Sequence, residues 1–173
     1  MQDFVHLHVH TQYSLLDGQA SVARLVDKAM QNGMKGIAVT DHGNMFGIKE
    51  FTNYVNKKNS GPKGEIKDLK KRLVGIEAGS IECEDKEAEV AACKAKIVEA
   101  ENKLFKPIIG CEMYVARRTM DLKEGKQDQS GYHLIVLAKN ETGYHNLIKL
   151  VSHAWTRGYY MRPRTCLLYT SDA

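Results

Sequence analysis

One apolar stretch sets the architecture of this chain: Gly36-Ile37-Ala38-Val39-Thr40, followed at once by the polar run Asp41-His42-Gly43-Asn44. A short apolar run that ends in such a turn is typical of a buried strand. Ahead of it, Ser21 can cap a helix that continues to Gly33, and a second helical pattern covers residues 47–57. This alternation of strands and helices predicts an α/β fold with a parallel sheet and helical crossovers.

Three other segments extend the same pattern. Residues 107–115 and 132–138 are apolar runs that predict two more strands, and a helix follows from Glu141 with its leucines facing inward. At the other end, Phe4-Val5-His6-Leu7-His8-Val9 alternates ring, apolar and imidazole side chains. Such alternation favours a strand, which would be the first of the sheet.

Between these regular parts, residues 59–106 have a different character. The segment is rich in Lys, Glu and Ala, and it begins with the break Ser60-Gly61-Pro62. Apolar residues recur in it at steps of three and four, which predicts an amphipathic helix. These are Val90, Cys93, Ile97, Ala100 and Leu104. A surface insertion, such as a helical hairpin, fits this pattern better than a core segment.

Bulk properties exclude some functional classes. The 173 residues are 43% hydrophobic and 27% charged, with a net charge of +4, which permits contact with a polyanion without demanding it. No run approaches the roughly 18 apolar residues of a membrane helix, and the first residues lack a signal-peptide pattern. The four cysteines show no CxxC pair. We therefore expect a reduced, cytoplasmic protein with no membrane partner.

Candidate metal ligands begin in the first predicted strand. His8 and His10 lie two apart, so both imidazoles project from one face and can bind one divalent metal ion. A pair of buried, hydrogen-bonded histidines is the alternative, and for His6 the structural role is favoured. Asp17, beside the turn at Gly18, can fold back as a third ligand or simply cap the turn.

Two later segments add ligand types at strand ends. His42 follows an apolar strand, with Asp41 as an acceptor that orients a ligand imidazole or caps the turn. Burying the Glu112 carboxylate inside an apolar strand costs several kcal/mol without a partner, which would be a metal ion or a basic side chain. Cys111 should face the other way and pack as an apolar group. His133 opens its strand, so its pattern supports a ligand role less directly.

Together these residues predict a hydrolytic metal centre. Imidazoles with carboxylates suit two or three zinc- or manganese-like ions, which lower the pKa of bound water and stabilise charge on a phosphoryl oxygen. Two histidines of the last helix are predicted to lie on the surface or in packing positions, and five arginines on the solvated surface, with phosphate contact as their alternative. They are His145, His153, Arg117, Arg118, Arg157, Arg162 and Arg164.

Four motifs resemble those of the PHP (polymerase and histidinol phosphatase) domain family. They are residues 4–18, 38–47, 106–112 and the segment 132–144, and the likeness covers residues 3–164 apart from the insertion. It implies a distorted seven-stranded (β/α) barrel, here partial, whose strand mouths bind three metal ions. By motif position the ligands are His8, His10, Asp17, His42, Glu112 and His133. Residues 1–164 would then form the domain, and residues 165–173, which depart from the family, an unassigned tail.

The motif sequences most resemble those of the amino-terminal domain in the catalytic subunit of bacterial replicative DNA polymerases. That likeness implies DNA and the other polymerase subunits as partners, magnesium for a polymerase domain, and 3′–5′ proofreading exonuclease activity here. The family's later ligands lie beyond Ala173, so this chain alone is expected to bind metal incompletely and to be inactive. Two alternatives are a free-standing phosphatase of the histidinol-phosphatase type and a non-catalytic scaffold that docks a proofreading subunit.

Overall fold

The structure, a computed structural model, describes residues 4–166. Its helices are α1 (Val22–Gln31), α2 (Ile48–Lys58), α3 (Ser60–Glu77), α4 (Lys86–Asn102), α5 (Gly125–Asp128) and α6 (Glu141–Thr156). Its strands are β1 (Gly36–Val39), β2 (Lys106–Ala116), β3 (Gly131–Leu137), β4 (Tyr159–Tyr160) and β5 (Arg162–Thr165). Among these residues, no helix combines the length and apolar character needed to cross a bilayer.

The chain divides into two compact units. One comprises the residues up to Asn53 together with those from Pro107 onward, and the other is Tyr54–Lys106. Thr165, the first residue of the predicted tail, is buried at the end of β5, and residues 167–173 of that tail lie outside the described part.

The α/β class is confirmed, but the sheet is mixed. Strand β2 pairs in parallel with β5 and, through the bridge between His42 and Glu112, with the end of β1. Strand β3 pairs with β2 in the antiparallel direction, so the prediction of a parallel sheet is wrong there. A parallel pair is usually joined by a crossover helix, whereas the connection between these two strands, residues 117–130, contains only the four-residue α5. Within residues 4–166 the five-stranded sheet is open.

The predicted first strand is wrong as a strand. Residues 4–10 have no strand assignment, although they run beside β1. The Ala38 amide donates to the His6 carbonyl over 2.8 Å, and the Thr40 amide donates to the Val9 carbonyl over 2.9 Å. The amide of Val9, however, donates to the Thr40 hydroxyl at 3.0 Å. A side chain therefore takes the place of a backbone partner and interrupts the ladder.

Alternation along β2 separates the core from the site. Cys111 and Met113 face a buried cluster formed with α6, which confirms the apolar role predicted for Cys111. The cluster members from α6 are Leu147, Leu150, Val151 and Ala154. Glu112 and Tyr114 point to the opposite face of the strand, and the candidate site lies there.

The second unit is built from two helices that pack together. The Asn59 side chain joins the unit's ends, because it accepts from the Phe105 amide at 2.9 Å and donates to the Phe105 carbonyl at 2.8 Å. Ile76 of α3 and Ile97 of α4 are buried. Pro62 lies in the first turn of α3, where the missing amide proton costs nothing, so the predicted chain break is a helix start.

Candidate metal centre

Glu112 is the residue on which the site converges. Its side chain is only 3% exposed although it carries a carboxylate. The Gly43 amide donates to the Glu112 carbonyl at 2.8 Å, and the Glu112 amide donates to the Asp41 carbonyl at 3.0 Å. This pairing places the turn after β1 beside β2, so that His42 Nδ1 lies 3.3 Å from Glu112 Oε2.

The two histidines of the first segment reach the same oxygen atom. His8 Nε2 lies 3.5 Å and His10 Nε2 3.1 Å from Glu112 Oε2. The rings of His8 and His10 are 4.7 Å apart, and that of His10 stacks on His42 at 4.1 Å. The predicted projection of both imidazoles from one face is therefore confirmed, even though the segment is not a strand.

His133 approaches Glu112 from the other side. In the antiparallel register it is paired with Tyr114, so its side chain shares the face that carries Glu112. Its Nδ1 contacts Glu112 Oε1. Because β3 runs against β2, the beginning of β3 meets the end of β2, and this explains how a histidine that opens its strand reaches the centre.

Asp17 is delivered by a tight loop. The amides of Asp17 and Gly18 both donate to the Ser14 carbonyl, over 3.0 and 2.8 Å. A Cβ on Gly18 would lie 1.9 Å from the Thr11 carbonyl oxygen, so the loop closes only with glycine there. Asp17 Oδ2 lies 2.8 Å from His42 Nε2, at the exposed rim of the site.

All six side chains selected from the sequence as metal ligands are therefore brought together. Five of them form two sets, and within each set the ligand atoms all lie within 4.8 Å of one another, while Asp17 joins through its contact with His42. The first set is His8, His10 and Glu112, and the second is His42, Glu112 and His133. Their role as ligands stays a prediction.

Asp41 accepts hydrogen bonds from hydroxyl and backbone groups rather than from an imidazole. It is 1% exposed. Its carboxylate accepts from the Thr11 amide at 2.6 Å, the Thr11 hydroxyl at 2.8 Å and the Ser14 hydroxyl at 2.6 Å. Asp41 was predicted to bond a ligand imidazole directly. Instead it holds the Ser14 hydroxyl, which in turn contacts the imidazole of His10.

Ser14 fixes the proton of His10. Its hydroxyl donates its one proton to Asp41, accepts from the His42 amide at 3.2 Å, and lies 2.9 Å from His10 Nδ1. Because the hydroxyl proton is committed to the carboxylate, the proton in the bond to His10 belongs to Nδ1. His10 Nε2 then presents its lone pair towards Glu112, as a metal ligand does.

Thr40 contacts His8 in a similar position. Its hydroxyl accepts from the Val9 amide at 3.0 Å, lies 3.4 Å from the Val9 carbonyl, and lies 2.8 Å from His8 Nδ1. This bond to Nδ1 holds the ring so that Nε2 points to Glu112. Sequence reasoning gave neither Thr40 nor Ser14 a role, although both lie beside predicted ligands.

The donor set fits a divalent cation. Burial, and after it the neighbouring His42, lowers the pKa of His10, which favours the neutral ring that binds metals. The Nε2 lone pair of His10 faces a carboxylate oxygen of Glu112, a repulsive arrangement without a cation between them. In the part of the chain that the structure describes, His42 Nδ1 is buried without a hydrogen-bond partner. Imidazole and carboxylate together suit zinc or manganese.

Fold and site together define an α/β domain with a histidine–carboxylate centre on one face of β2. The family model described as PHP domain matches residues 6–172, and the chain belongs to that family, as its motifs predicted. It is 39% identical over 164 residues to the DNA polymerase III subunit alpha of Borreliella burgdorferi, covering 93% of this chain and 10% of the relative. For the protein of that name from Treponema pallidum the identity is 40% over 162 residues, with the same coverage. For that from Aquifex aeolicus it is 32% over 169 residues, covering 94% and 11%.

The chain thus spans about a tenth of the length of the curated relatives it matches.

Proposed function

We propose that this chain is the amino-terminal PHP domain of a bacterial replicative DNA polymerase and that its histidine–carboxylate centre hydrolyses phosphoesters. Residues 1–164 form the domain, with residues 59–106 inserted, and its strands belong to a distorted seven-stranded barrel. The convergence of four imidazoles on the buried Glu112 carries this proposal. Relatives that are about ten times longer favour the polymerase over a free-standing phosphatase, which needs only about one domain.

In this proposal two or three zinc or manganese ions occupy the centre. His8, His10 and Glu112 hold one ion, while His42, Glu112 and His133 hold another, with Asp17 at the rim. Such ions lower the pKa of a bound water and stabilise negative charge on a phosphoryl oxygen. Ser14 holds a proton on Nδ1 of His10, and Thr40 holds the His8 ring through its Nδ1, so that both Nε2 atoms face Glu112.

The substrate that fits a replicative polymerase is the 3′ end of a mispaired primer strand, so the activity is a 3′–5′ proofreading exonuclease. DNA and the other subunits of the polymerase are then the partners, in the cytoplasm. Polymerisation belongs to other parts of the longer polypeptide and uses magnesium. A carboxylate or imidazole at each of the six predicted ligand positions favours catalysis over a purely scaffolding role.

The test uses the complete polymerase, purified without chelators. We expect His10→Ala and Glu112→Ala to abolish manganese- or zinc-dependent degradation of a mispaired primer while primer extension largely survives. His145→Ala is the matched control, because its side chain is 62% exposed on α6 and pairs with Glu141 rather than with a site residue. Exonuclease rates unchanged in the double variant His10→Ala/Glu112→Ala would refute the site. A wild-type enzyme that contains no transition metal would support the scaffold instead.

A further inference from the structure

An open cleft of about 280 Å³ lies beside His42, in the first compact unit. Five aromatic side chains line it. The side chains that matter here are Phe46, Tyr114, Trp155, Tyr159 and Arg162. Since His42 is one of the proposed metal ligands, whatever occupies this cleft lies next to the centre.

Trp155 and Tyr159 form a rigid aromatic surface in the cleft. Their rings stack with centroids 5.5 Å apart and planes 15° from parallel. Trp155 Nε1 donates to the Gly43 carbonyl at 2.7 Å, which ties the indole to the turn that carries His42. Both rings nevertheless remain almost half exposed, at 43% and 48%. Fixed but exposed aromatic rings are typical of binding sites rather than of packing.

Arg162 adds a positive charge at the same place. Its guanidinium lies 5.3 Å from the centre of the Tyr114 ring and donates to the Tyr114 hydroxyl at 3.0 Å. The Tyr114 ring in turn stacks on His42 at 6.2 Å. A guanidinium held in this way is suited to a phosphate oxygen, because its planar donors match phosphate geometry.

We propose that this cleft binds the terminal nucleotides of single-stranded DNA, with a base stacked on the Trp155–Tyr159 surface and a backbone phosphate on Arg162. The inference rests on the proposed function, because it specifies how the strand to be cleaved is held. Stacking on aromatic rings accepts every base, as an exonuclease that removes any mispaired nucleotide requires. A small phosphomonoester without a base has no ring that could stack on this surface.

The chain contains one tryptophan, Trp155, so its fluorescence reports on this cleft directly. The chain is titrated in EDTA with an oligothymidylate of about eight nucleotides, within the range that single-strand sites cover. An abasic oligomer of equal length carries the same phosphates and serves as the control ligand. We expect quenching by the oligothymidylate and little or none by the abasic oligomer.

Variants then locate the contact. Tyr159→Ala should weaken binding by about 5- to 150-fold, the effect of losing one stacked base. Phe46→Ala changes a side chain that lines the same cleft and is 68% exposed, so it should weaken binding without affecting the fold. Tyr144→Ala, an aromatic position on α6 outside this cleft, is the matched control and should bind as the wild type does.

Absent quenching, equal quenching by the abasic oligomer, or wild-type affinity in both cleft variants would overturn the subsite. The chelator makes this result independent of the metal centre. Loss of hydrolysis with quenching intact therefore counts against the proposed function alone, and hydrolysis without quenching counts against the subsite alone.

Discussion

Replacing Ser14 with alanine removes three hydrogen bonds from a fully buried position. A bond to an ionised carboxylate such as Asp41 contributes about 1.5–3 kcal/mol, and leaving a buried donor such as the His42 amide without a partner costs about 1–3 kcal/mol. The losses share one oxygen atom and do not add fully. We therefore expect Ser14→Ala to lower the free energy of unfolding by about 2–4 kcal/mol.

The same change should weaken metal binding. Without Ser14, nothing holds the proton of His10 on Nδ1, so the ring can turn or adopt the other tautomer. Loss of such a supporting partner typically lowers metal affinity by about 10- to 100-fold. Zinc affinity is measured by competition with a chromophoric chelator, and stability by urea unfolding in EDTA, followed by circular dichroism.

A control separates the two effects. Ser21→Ala removes the side-chain cap of α1, which costs about 0.5–2 kcal/mol, and Ser21 bonds Arg24 rather than any site residue. It should lower stability and leave zinc affinity unchanged. Wild-type zinc affinity in Ser14→Ala would show that the proton assignment is wrong. An equal loss of affinity in Ser21→Ala would show that binding follows overall stability.

Three further expectations concern the rest of the molecule. Gly64→Ala should stabilise α3 by about 0.5–1 kcal/mol, because a Cβ there meets nothing within 4 Å; a melting temperature that stays the same or falls would contradict this. Burial raises the pKa of Cys111 to about 12, so its thiol should not react with an alkylating reagent at about pH 8. Peptide mapping after alkylation of the native protein should find Cys83 modified and Cys111 intact, and equal labelling of the two would contradict this. The Arg118 guanidinium holds the pKa of Asp128 below its ordinary value of about 3.9. The Arg118–Asp128 ion pair therefore stabilises the fold above about pH 3.9, and this contribution is lost as the pH falls through the lower pKa of the folded state. Asp128→Asn should therefore lose less stability than the wild type between about pH 7 and pH 2 in urea unfolding, and an equal loss would refute the assignment.

Much of the fold, and the identity of the site residues, could be predicted from local sequence patterns. The helix α1, the apolar run of β1 and the inward face of α6 follow from periodicity and capping, which depend on neighbouring residues only. Glu112 was recognisable because a carboxylate in an apolar strand needs a partner. Residue type and position beside strands and turns thus made these side chains candidates, and the likeness to the PHP motifs selected all six as one ligand set.

What the sequence could not supply depends on distances between remote segments. The antiparallel direction of β3 is set by its connection to β2, and it is this direction that brings His133 to the centre. A hydroxyl can bond almost any polar group, so the roles of Ser14 and Thr40 appear only when partners about 30 positions apart in the chain come together. Arg164, predicted to lie on the surface, is fully buried.

Backbone carbonyls take the protons of Arg164 Nε and Nη2, whereas Nη1 is buried without a hydrogen-bond partner within residues 4–166. Arg164 donates to the carbonyls of Gly158, Met120 and Leu122 over 3.0–3.1 Å. Its burial lowers the pKa of the guanidinium, although an arginine stays charged at any physiological pH. The burial of Arg164 among these carbonyls could not be predicted from neighbouring residues, since the carbonyls lie 6 to 44 positions away in the sequence.

Crystals of the chain grown with zinc or manganese, with anomalous scattering recorded at the metal edge, probe the convergence on Glu112 most directly. We expect anomalous density in contact with His8, His10 and Glu112, and a second peak beside His42 and His133, with the peaks at Glu112 absent in Glu112→Gln. Density bound only to surface groups such as His145, or none at saturating metal, would contradict a metal centre at these six side chains.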